Sequence, residues 1–378
     1  MTRNRPHHLR PSIATARVAL VYRDLSGEGV SHVGLGISAA HTAKTLRQHG
    51  IWAEIWPSRD AKQIVERLRH VDARAGERGE VRPTHVVLAA PWVSTDDLAR
   101  MAAEFREVAF VVVSHSNVGF LAADPHAIRL LRQTADLQLE SHNVFVGGNS
   151  QKFTEWATEA WGVNAVWLPN LYCTTETFPH RNRRWDGGLL RLGIFGANRP
   201  LKNFISGAAA VVELAARLHV PTELYLSTGR NEGGSDRALE EMTEDISNLR
   251  VIHTGWLSWP RFRRLLRAID LVFQVSYTET FNIVTADAVA EGVPVVASDA
   301  IDWVPRWWQA RADEPRDLAR VAEHLLRDPN ASNDGRRALE AYVEQGVLAW
   351  QRFLCPGASQ TAGAAREEGA AVGLAVAP

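Results

Sequence analysis

The chain has 378 residues, a formal net charge of −1 and an apolar fraction of 46%. This length suits two or three domains with a large buried core, and the near-average composition excludes wholesale disorder. The balanced charge provides no overall field that would draw the protein to nucleic acid or to a membrane surface. The two cysteines, Cys173 and Cys355, could form at most one disulfide, which is too few to stabilise a chain of this length. This argues against a secreted domain that is held together by disulfides.

The sequence also lacks the usual signals for membrane insertion and export. No apolar run reaches the roughly 18 residues that are needed to cross a bilayer. The N-terminus is polar and basic and is not followed by an apolar segment, so it does not resemble a secretory signal peptide. We therefore expect a cytoplasmic protein in which residues 1–14 form a flexible tail.

Short apolar runs alternate with amphipathic segments through the first half of the chain. The run Arg17–Tyr22 predicts a buried strand, Gly27–Gly36 a glycine-bearing loop, and Ile37–His49 a helix. The alternation continues, and it includes a strand that we predict over Leu137–Glu140. Strands that alternate with helices indicate βαβ units and a parallel sheet, so residues 15–175 are predicted to form one α/β domain.

The alternation stops over residues 176–189, where arginine, proline and glycine indicate an interdomain linker. It starts again at residue 190 and predicts a second α/β domain over residues 190–334. Residues 335–355 are predicted to form a C-terminal helix, and the alanine- and glycine-rich residues 356–378 a disordered tail.

The predicted fold is therefore α/β, with two doubly wound, Rossmann-like domains that face each other across a cleft. Ligands of open parallel sheets bind outside the carboxyl ends of the strands. We therefore expect functional side chains in the loops that follow strands.

The most informative of these loops lies in the segment Tyr277–Ser298, which passes from a loop into a helix and then into a strand. Glu279 falls in the loop. Unpaired amides at the start of a helix bind anions, and here they belong to Phe281, Asn282 and Ile283.

A second carboxylate, Asp287, follows Glu279 by eight residues and falls on the predicted helix. The two carboxylates can each accept hydrogen bonds from a different set of ligand hydroxyls. The alternative interpretation is that Glu279 caps the helix and that Asp287 is solvated.

The segment Gly193–Asn203 likewise follows a strand and precedes a helix. Gly196 permits a tight turn, and Arg199 and Lys202 place two cations near the start of the helix. A lysine is a point charge that suits a diphosphate, and an arginine can bind two phosphate oxygens at once. The alternative is an ordinary solvated loop.

Two further loops belong to the first domain. Gly34 and Gly36 follow the first strand, where glycines let a phosphate or a sugar approach the backbone closely. His115 follows the strand Ala109–Val113 and is expected to project from its carboxyl end. Each signal is weak alone, because glycine-rich turns are common and a single histidine is more often structural.

A basic stretch, Trp259–Arg267, is predicted to be helical. Its arginines are interpreted mainly as a solvated helix face, and the alternative is a surface that follows the phosphates of a polyanionic acceptor. The arginines concerned are Arg261, Arg263, Arg264 and Arg267. Core packing is favoured over ligand stacking for the later tryptophans Trp303, Trp307 and Trp308.

Together these motifs resemble the retaining glycosyltransferases of the GT-B fold, family 4 type, also described as glycosyl transferases group 1. In that family two carboxylates are separated by seven residues and followed by a glycine-proline turn, as are Glu279, Asp287 and Gly292–Ser298 here. The second family glutamate is replaced by aspartate. The family's Gly-Arg-x4-Lys loop has Lys202 at its lysine position and Ala197 at its arginine position.

The resemblance implies a metal-independent, retaining transfer of a sugar, most often a hexose, from a nucleotide-sugar donor to an acceptor hydroxyl. The catalytic residues that it implies are His115, Glu279 and Lys202. The donor-binding residues that it implies are Gly34, Gly36, Arg199, Lys202, Asn203, Gly255, Glu279, Phe281, Asn282, Ile283 and Asp287. No metal or other cofactor is expected, because cations and helix N-termini stabilise the leaving diphosphate in such enzymes. The C-terminal helix is expected to cross back and pack on the first domain.

Two other functions stay open on the sequence alone. One is a DNA glycosyltransferase that acts on a modified base, which the basic stretches would suit. The other is a catalytically inactive homologue that binds nucleotide-sugars, because Ala197 and Asp287 depart from the family pattern. The acceptor class (saccharide, lipid-linked compound, small molecule or DNA) and the oligomeric state are not encoded in any motif that we identify.

Overall fold

The computed structural model describes residues 15–25, 33–74, 82–176, 185–233 and 236–355. The predicted tails over residues 1–14 and 356–378 lie outside the described residues, as do residues 177–184 of the predicted linker. None of the described helices combines the length and the apolar character that a membrane span requires.

Contacts divide the chain into two compact units. The first unit takes its described residues from Met1–His115, Asp124–Leu171 and Gln345–Pro378. The second unit comprises Ser116–Ala123 and Tyr172–Glu344. Each unit is built on one sheet.

The sheet of the first unit consists of parallel strands in the order β2-β1-β3-β4-β5-β6. These strands are β1 (Arg17–Arg23), β2 (Trp52–Ser58), β3 (His85–Ala89), β4 (Ala109–Ser114), β5 (Val144–Gly148) and β6 (Val166–Trp167). The helices of this part of the chain are α1 (Val33–Gln48), α2 (Ala61–Arg74), α3 (Thr95–Glu104), α4 (Val118–Leu121, in the second unit), α5 (Pro125–Glu140) and α6 (Gln151–Trp161).

Strand β3 is buried along its whole length, as expected for a parallel sheet that is covered by helices on both faces. Its first residue, His85, is polar and 7% exposed. The Nδ1 atom of His85 lies 2.7 Å from Thr84 Oγ1, and its ring meets the edge of Phe353 at 5.3 Å between centroids. Burial lowers the pKa of His85 to about 4, so the imidazole is neutral at pH 7.

The sheet of the second unit is also parallel, in the order β12-β11-β10-β7-β8-β9. Its strands are β7 (Leu190–Ile194), β8 (Thr222–Leu226), β9 (Leu249–His253), β10 (Leu271–Gln274), β11 (Val295–Ser298) and β12 (Gln309–Ala310). The remaining helices are α7 (Phe204–Leu218), α8 (Asp236–Thr243), α9 (Trp259–Leu266), α10 (Ile283–Ala290), α11 (Pro315–Arg327) and α12 (Ala331–Leu354). The predicted α/β class with two parallel sheets is thus confirmed.

Two local predictions are wrong. Residues Leu137–Glu140 form the last turn of α5 and not a strand. Asp124 caps this helix by accepting a hydrogen bond from the amide of Ala127 at 2.9 Å, and its apolar residues continue at helical spacing. Likewise, Gly34 and Gly36 lie in the first turn of α1 and not in a loop.

The tryptophans follow the packing prediction in two of three cases. Trp303 and Trp308 are buried, whereas Trp307 is 51% exposed. Trp308 lies directly against α12, where a β-carbon added to Gly335 would stand 2.2 Å from its Cη2 atom. Glycine is therefore required at position 335 for steric reasons.

Strands β7 and β10 are neighbours in the second sheet, with Leu192 beside Leu271 and Ile194 beside Phe273. Because the two strands are parallel, their carboxyl ends meet at one edge of the sheet. The loops over residues 195–203 and 275–282 leave from that edge and are therefore held close together.

We expect Gly335→Ala to destabilise the second unit by about 1–3 kcal/mol, because the added methyl group overlaps a buried indole that has no room to move. The matched control is Gly34→Ala, in a helix where nothing lies within 4 Å of the added carbon. Chemical unfolding followed by tryptophan fluorescence measures both. Equal stability of the two variants would contradict the packing described for Trp308.

Candidate functional site

The two neighbouring loops of the second sheet are joined by hydrogen bonds. The amide of Tyr277 donates to the carbonyl of Leu201 at 2.9 Å. Asn203 Nδ2 donates to the carbonyls of Val275 at 3.2 Å and Ala312 at 2.7 Å. Asn203 has a positive φ of 52° and is 3% exposed, so this predicted donor-binding residue serves to connect the loops.

Glu279 is the centre of the polar side chains at this edge. Its Oε1 atom forms an ion pair with Lys202 Nζ and accepts hydrogen bonds from Ser276 Oγ at 2.8 Å and Asn282 Nδ2 at 3.0 Å. Asn117 Nδ2 donates to the backbone carbonyl of Glu279. Within the described part of the chain, every donor to this carboxylate contacts its Oε1 atom. Its Oε2 atom therefore keeps its capacity to accept hydrogen bonds.

The start of α10 is fixed by Asn282. This residue has a φ of 59°, and its Oδ1 atom accepts a hydrogen bond from the amide of Thr285 at 2.9 Å. Ile283 is the first helical residue, so its amide has no partner within the helix. Phe281 is 1% exposed and stacks on Trp303 at 5.7 Å between centroids, so its side chain is part of the core.

Arg199 contributes to a second group of charges next to this site. Glu232 pairs with two arginines, with Arg199 through Oε2 and with Arg230 through Oε1. The arginines lower the pKa of the Glu232 carboxyl, although partial burial opposes them. Arg199 lies 5.7 Å from the ring centroid of Phe120, and Arg230 lies 5.6 Å from that of Trp256. Sequence reasoning named Arg199 but neither Arg230 nor Glu232.

Asp287 does not belong to the group around Glu279. It is 2% exposed, and its Oδ1 atom accepts hydrogen bonds from Tyr172 Oη at 2.7 Å and Trp259 Nε1 at 3.1 Å. Trp259 Nε1 also lies 3.2 Å from Oδ2. Burial raises the pKa of Asp287 to about 6, against the hydrogen bonds that favour its charged form. These hydrogen bonds hold the Asp287 carboxylate inside the protein. A ribose could bind to it only if Tyr172 and Trp259 moved away.

The arginines of α9 are only partly solvated, contrary to the prediction. Arg263 is 7% exposed and pairs with Glu291 Oε1 at 2.5 Å, and Arg267 pairs with Glu291 Oε2 at 2.8 Å. Glu291 caps the carboxyl end of α10. Two of the four positive charges are therefore engaged by a buried carboxylate, which weakens the case for a phosphate-tracking helix face.

His115 belongs to the first unit and lies directly after β4. Asn149 Nδ2 lies 2.6 Å from His115 Nδ1. Because an amide nitrogen only donates, Nδ1 is the acceptor, and the ring proton is on Nε2. Burial lowers the pKa of His115 to about 4, so the ring is neutral at pH 7. It can donate a hydrogen bond, but it is a poor proton donor at that pH.

The predicted glycines occupy different environments. Gly255 has a φ of 64°, and its amide donates to Thr228 Oγ1 at 3.2 Å, in the turn between β9 and α9. Gly34 is open to solvent, with nothing within 4 Å of an added β-carbon. Gly36 lies beside Tyr22, whose ring carbon would stand 3.5 Å from such a carbon. Only Gly255 belongs to the second unit.

A cavity of about 720 Å³ lies beside these loops in the second unit. Its lining includes Asn198, Ser227, Thr228, Asp236 and His253. Its volume is in the range of small-molecule sites, although neither Lys202 nor Glu279 lines it.

Sequence reasoning missed two partners of Glu279. Ser276 lies three residues before it in the same loop, so the spacing alone gave a usable signal. Asn117 lies 162 residues away in the chain, and no local pattern connects it with Glu279.

Comparison with known families identifies the second unit. Residues 190–328 match the model of the family described as glycosyl transferases group 1. This part of the chain is therefore a glycosyltransferase domain, and the predicted resemblance is confirmed. None of the curated proteins matches the sequence.

Solved structures show the same fold. Sucrose-phosphate synthase from Thermosynechococcus elongatus is 15% identical with a TM-score of 0.60, over 94% of this chain and all of the other. A glycosyltransferase from Rickettsia africae is 11% identical with a TM-score of 0.59, over 91% of this chain and all of the other.

A third structure is a variant of TarM from S. aureus in complex with fondaparinux, α-GlcNAc-glycerol and UDP. It is 15% identical with a TM-score of 0.53 over 71% of this chain, which spans 55% of the length of TarM. At these identities the three likenesses establish the fold, and they confirm the predicted GT-B class.

We expect Asp287→Asn to change the pH dependence of stability. The folded pKa of about 6 lies above the ordinary value of 3.8, so the wild-type protein loses about 3 kcal/mol of this group's contribution as pH rises from 4 to 6. The amide oxygen of asparagine keeps both hydrogen bonds but does not titrate. Unfolding free energies of the two proteins, measured between pH 4 and 7, should therefore diverge in favour of the variant as pH rises. A constant difference would contradict the assignment.

Proposed function

We propose that this chain is a retaining glycosyltransferase that moves a hexosyl group from a nucleotide-sugar to an acceptor hydroxyl without a bound metal ion. The observation that carries the proposal is the Lys202–Glu279 pair, which lies at the carboxyl ends of two adjacent strands in a glycosyltransferase domain. Ser276 and Asn282 hold the same carboxylate oxygen and so fix its orientation.

Lys202 is proposed to stabilise the leaving diphosphate. An ammonium group has three donors, and the contact with Glu279 uses one of them. The amide of Ile283 adds a donor at the N-terminus of α10, where the helix dipole also favours negative charge. Positive groups placed where charge develops lower the barrier to bond cleavage. These groups supply the charge that a metal ion would otherwise provide.

Glu279 is proposed to bind hydroxyl groups of the donor sugar through Oε2. Its Oε1 atom is occupied by protein donors, so the two oxygens have different tasks. A carboxylate that is held on one side loses little conformational freedom when it binds a ligand on the other. Asn117 holds the backbone of the same residue.

The role of His115, which lies in the first unit, stays a prediction from the resemblance. The orientation of its ring is set by Asn149, and the lowered pKa keeps it neutral. Asp287 has no donor-binding role in this proposal, because both of its oxygens are within hydrogen-bond distance of Trp259.

The UDP in the TarM complex supports a nucleotide-bound donor, and the proposal selects no particular base. The acceptor is a hydroxyl compound of unassigned class. The cytoplasmic location stays a prediction from the sequence.

The test uses the purified 378-residue chain and a panel of UDP-, GDP- and ADP-sugars, with nucleoside diphosphate release as the readout. We expect turnover that is unaffected by chelator, and nuclear magnetic resonance of the product should show the anomeric configuration of the donor. Glu279→Gln should slow turnover about 100-fold or more, because it removes both the carboxylate and the partner of Lys202.

Lys202→Ala should weaken donor binding by about 1–3 kcal/mol, the value of one charged hydrogen bond. The matched control is Lys62→Ala, which removes an exposed lysine whose ion pair with Glu66 lies in the first unit. Wild-type activity in the Glu279 and Lys202 variants would overturn the assignment of the site. Inversion at the anomeric carbon, or loss of turnover with chelator, would overturn that part of the proposal.

A further inference from the structure

Arg199 and Arg230 come from different loops, and the backbone fixes their separation. The loop after β7 and the loop after β8 are joined by a bridge between Asn198 and Asn231. The amide of Asn198 donates to the carbonyl of Arg230 at 3.0 Å, and the amide of Glu232 donates to the carbonyl of Asn198 at 2.9 Å. The two arginines therefore stand on one short piece of paired backbone.

Side chains of the same loops strengthen this connection. Asn198 Nδ2 donates to Asp236 Oδ1, and Asn231 Nδ2 donates to Asp236 Oδ2 at 2.5 Å. The Asp236 carboxylate at the start of α8 thus binds the residues on both sides of the bridge. Movement of one loop against the other would break these hydrogen bonds, so the relative position of the two arginines is determined before any ligand binds.

Each guanidinium also rests against an aromatic ring. Arg199 lies over Phe120, and Arg230 lies over Trp256, which is 43% exposed. Planar guanidinium groups stack well on such rings, which restricts the rotamers of a long side chain. Both arginines are mostly covered, with 28% and 25% of their side chains exposed.

The contacts of Glu232 indicate which kind of ligand suits Arg199 and Arg230. Its two oxygens are divided between the two guanidinium groups, so the arginines already converge on the two oxygens of a single anion. Two oxygens of one phosphate group have a similar spacing and carry more charge. The loop that bears Arg199 also bears Lys202, three residues further on.

Resting on the proposed function, we infer that Arg230 acts with Arg199 as a second phosphate clamp for the donor diphosphate, and that Glu232 occupies this clamp until the donor displaces it. Arg230 is then a substrate-binding residue. Glu232 is a competing internal anion that holds the two arginines in place. Lys202, three residues after Arg199 in the same loop, is the third cation proposed to bind the diphosphate.

The test measures binding of inorganic pyrophosphate and of UDP, GDP and ADP by calorimetry. Arg230→Ala and Arg199→Ala should each weaken pyrophosphate binding about tenfold or more, as expected for loss of one charged contact. The factor should be similar for all three nucleotides, because the contact is with phosphate. Glu232→Gln should strengthen pyrophosphate binding about threefold or more, because it removes the internal competitor.

The matched control is Arg237→Ala, which removes the same charge from α8, where Arg237 pairs with Glu241 and is 91% exposed. It should leave binding within about twofold of the wild-type value, since an exposed pair contributes little. Pyrophosphate binding that survives in the Arg230 variant but is lost in Lys202→Ala would overturn the clamp and leave the proposed function intact. An Arg230 effect confined to one base would also overturn it, as would weaker or unchanged binding in Glu232→Gln. A wild-type protein that binds none of the four anions would overturn both proposals.

Discussion

The candidate site depends on the pairing of two parallel strands, β7 and β10. Since neighbouring parallel strands end at the same edge, the loops that carry Lys202 and Glu279 must leave the sheet side by side. The ion pair between them is mostly shielded from water, and a shielded charge is costly unless other donors satisfy it. Ser276 and Asn282 supply those donors. Helices α7 and α10 begin directly after these two loops, at Phe204 and Ile283.

Sequence reasoning succeeded where position along the chain decides position in the fold. Glu279 and Lys202 were predicted because each follows a strand of a βαβ unit, and the sheet brings such positions together. It did not anticipate the environment of Asp287, whose helical position suggested a second ligand contact. Its environment is set by Tyr172, 115 residues earlier, and no pattern around either residue announces that hydrogen bond. Strand alternation therefore predicts which loops meet at the edge of a sheet. It does not predict which polar side chains are buried in the interior.

Charged side chains showed the same limit. A helix with four arginines suggested a solvated face, yet Arg263 is buried against Glu291. Arg199 was predicted as a loop cation, and its neighbour Arg230 was not noticed because it follows a different strand. In both cases the partner of the arginine lies on another element and is determined by the tertiary fold. Gly34 was predicted to lie in a loop and lies in the first turn of α1, because glycine suits a loop or a helix N-terminus equally well until packing decides.

Three buried groups, His85, His115 and Asp287, have pKa shifts whose effects on stability oppose each other over the same pH range. His85 and His115 of the first unit have a pKa of about 4, below the ordinary 6.5, so their contribution to stability is complete above pH 6.5 and is lost as pH falls. Asp287 of the second unit behaves in the reverse sense over nearly the same range. Acidification from pH 6.5 to 4 therefore opposes the burial of the two histidines and favours the burial of Asp287. A pH profile of the unfolding free energy would record the difference between these opposed contributions.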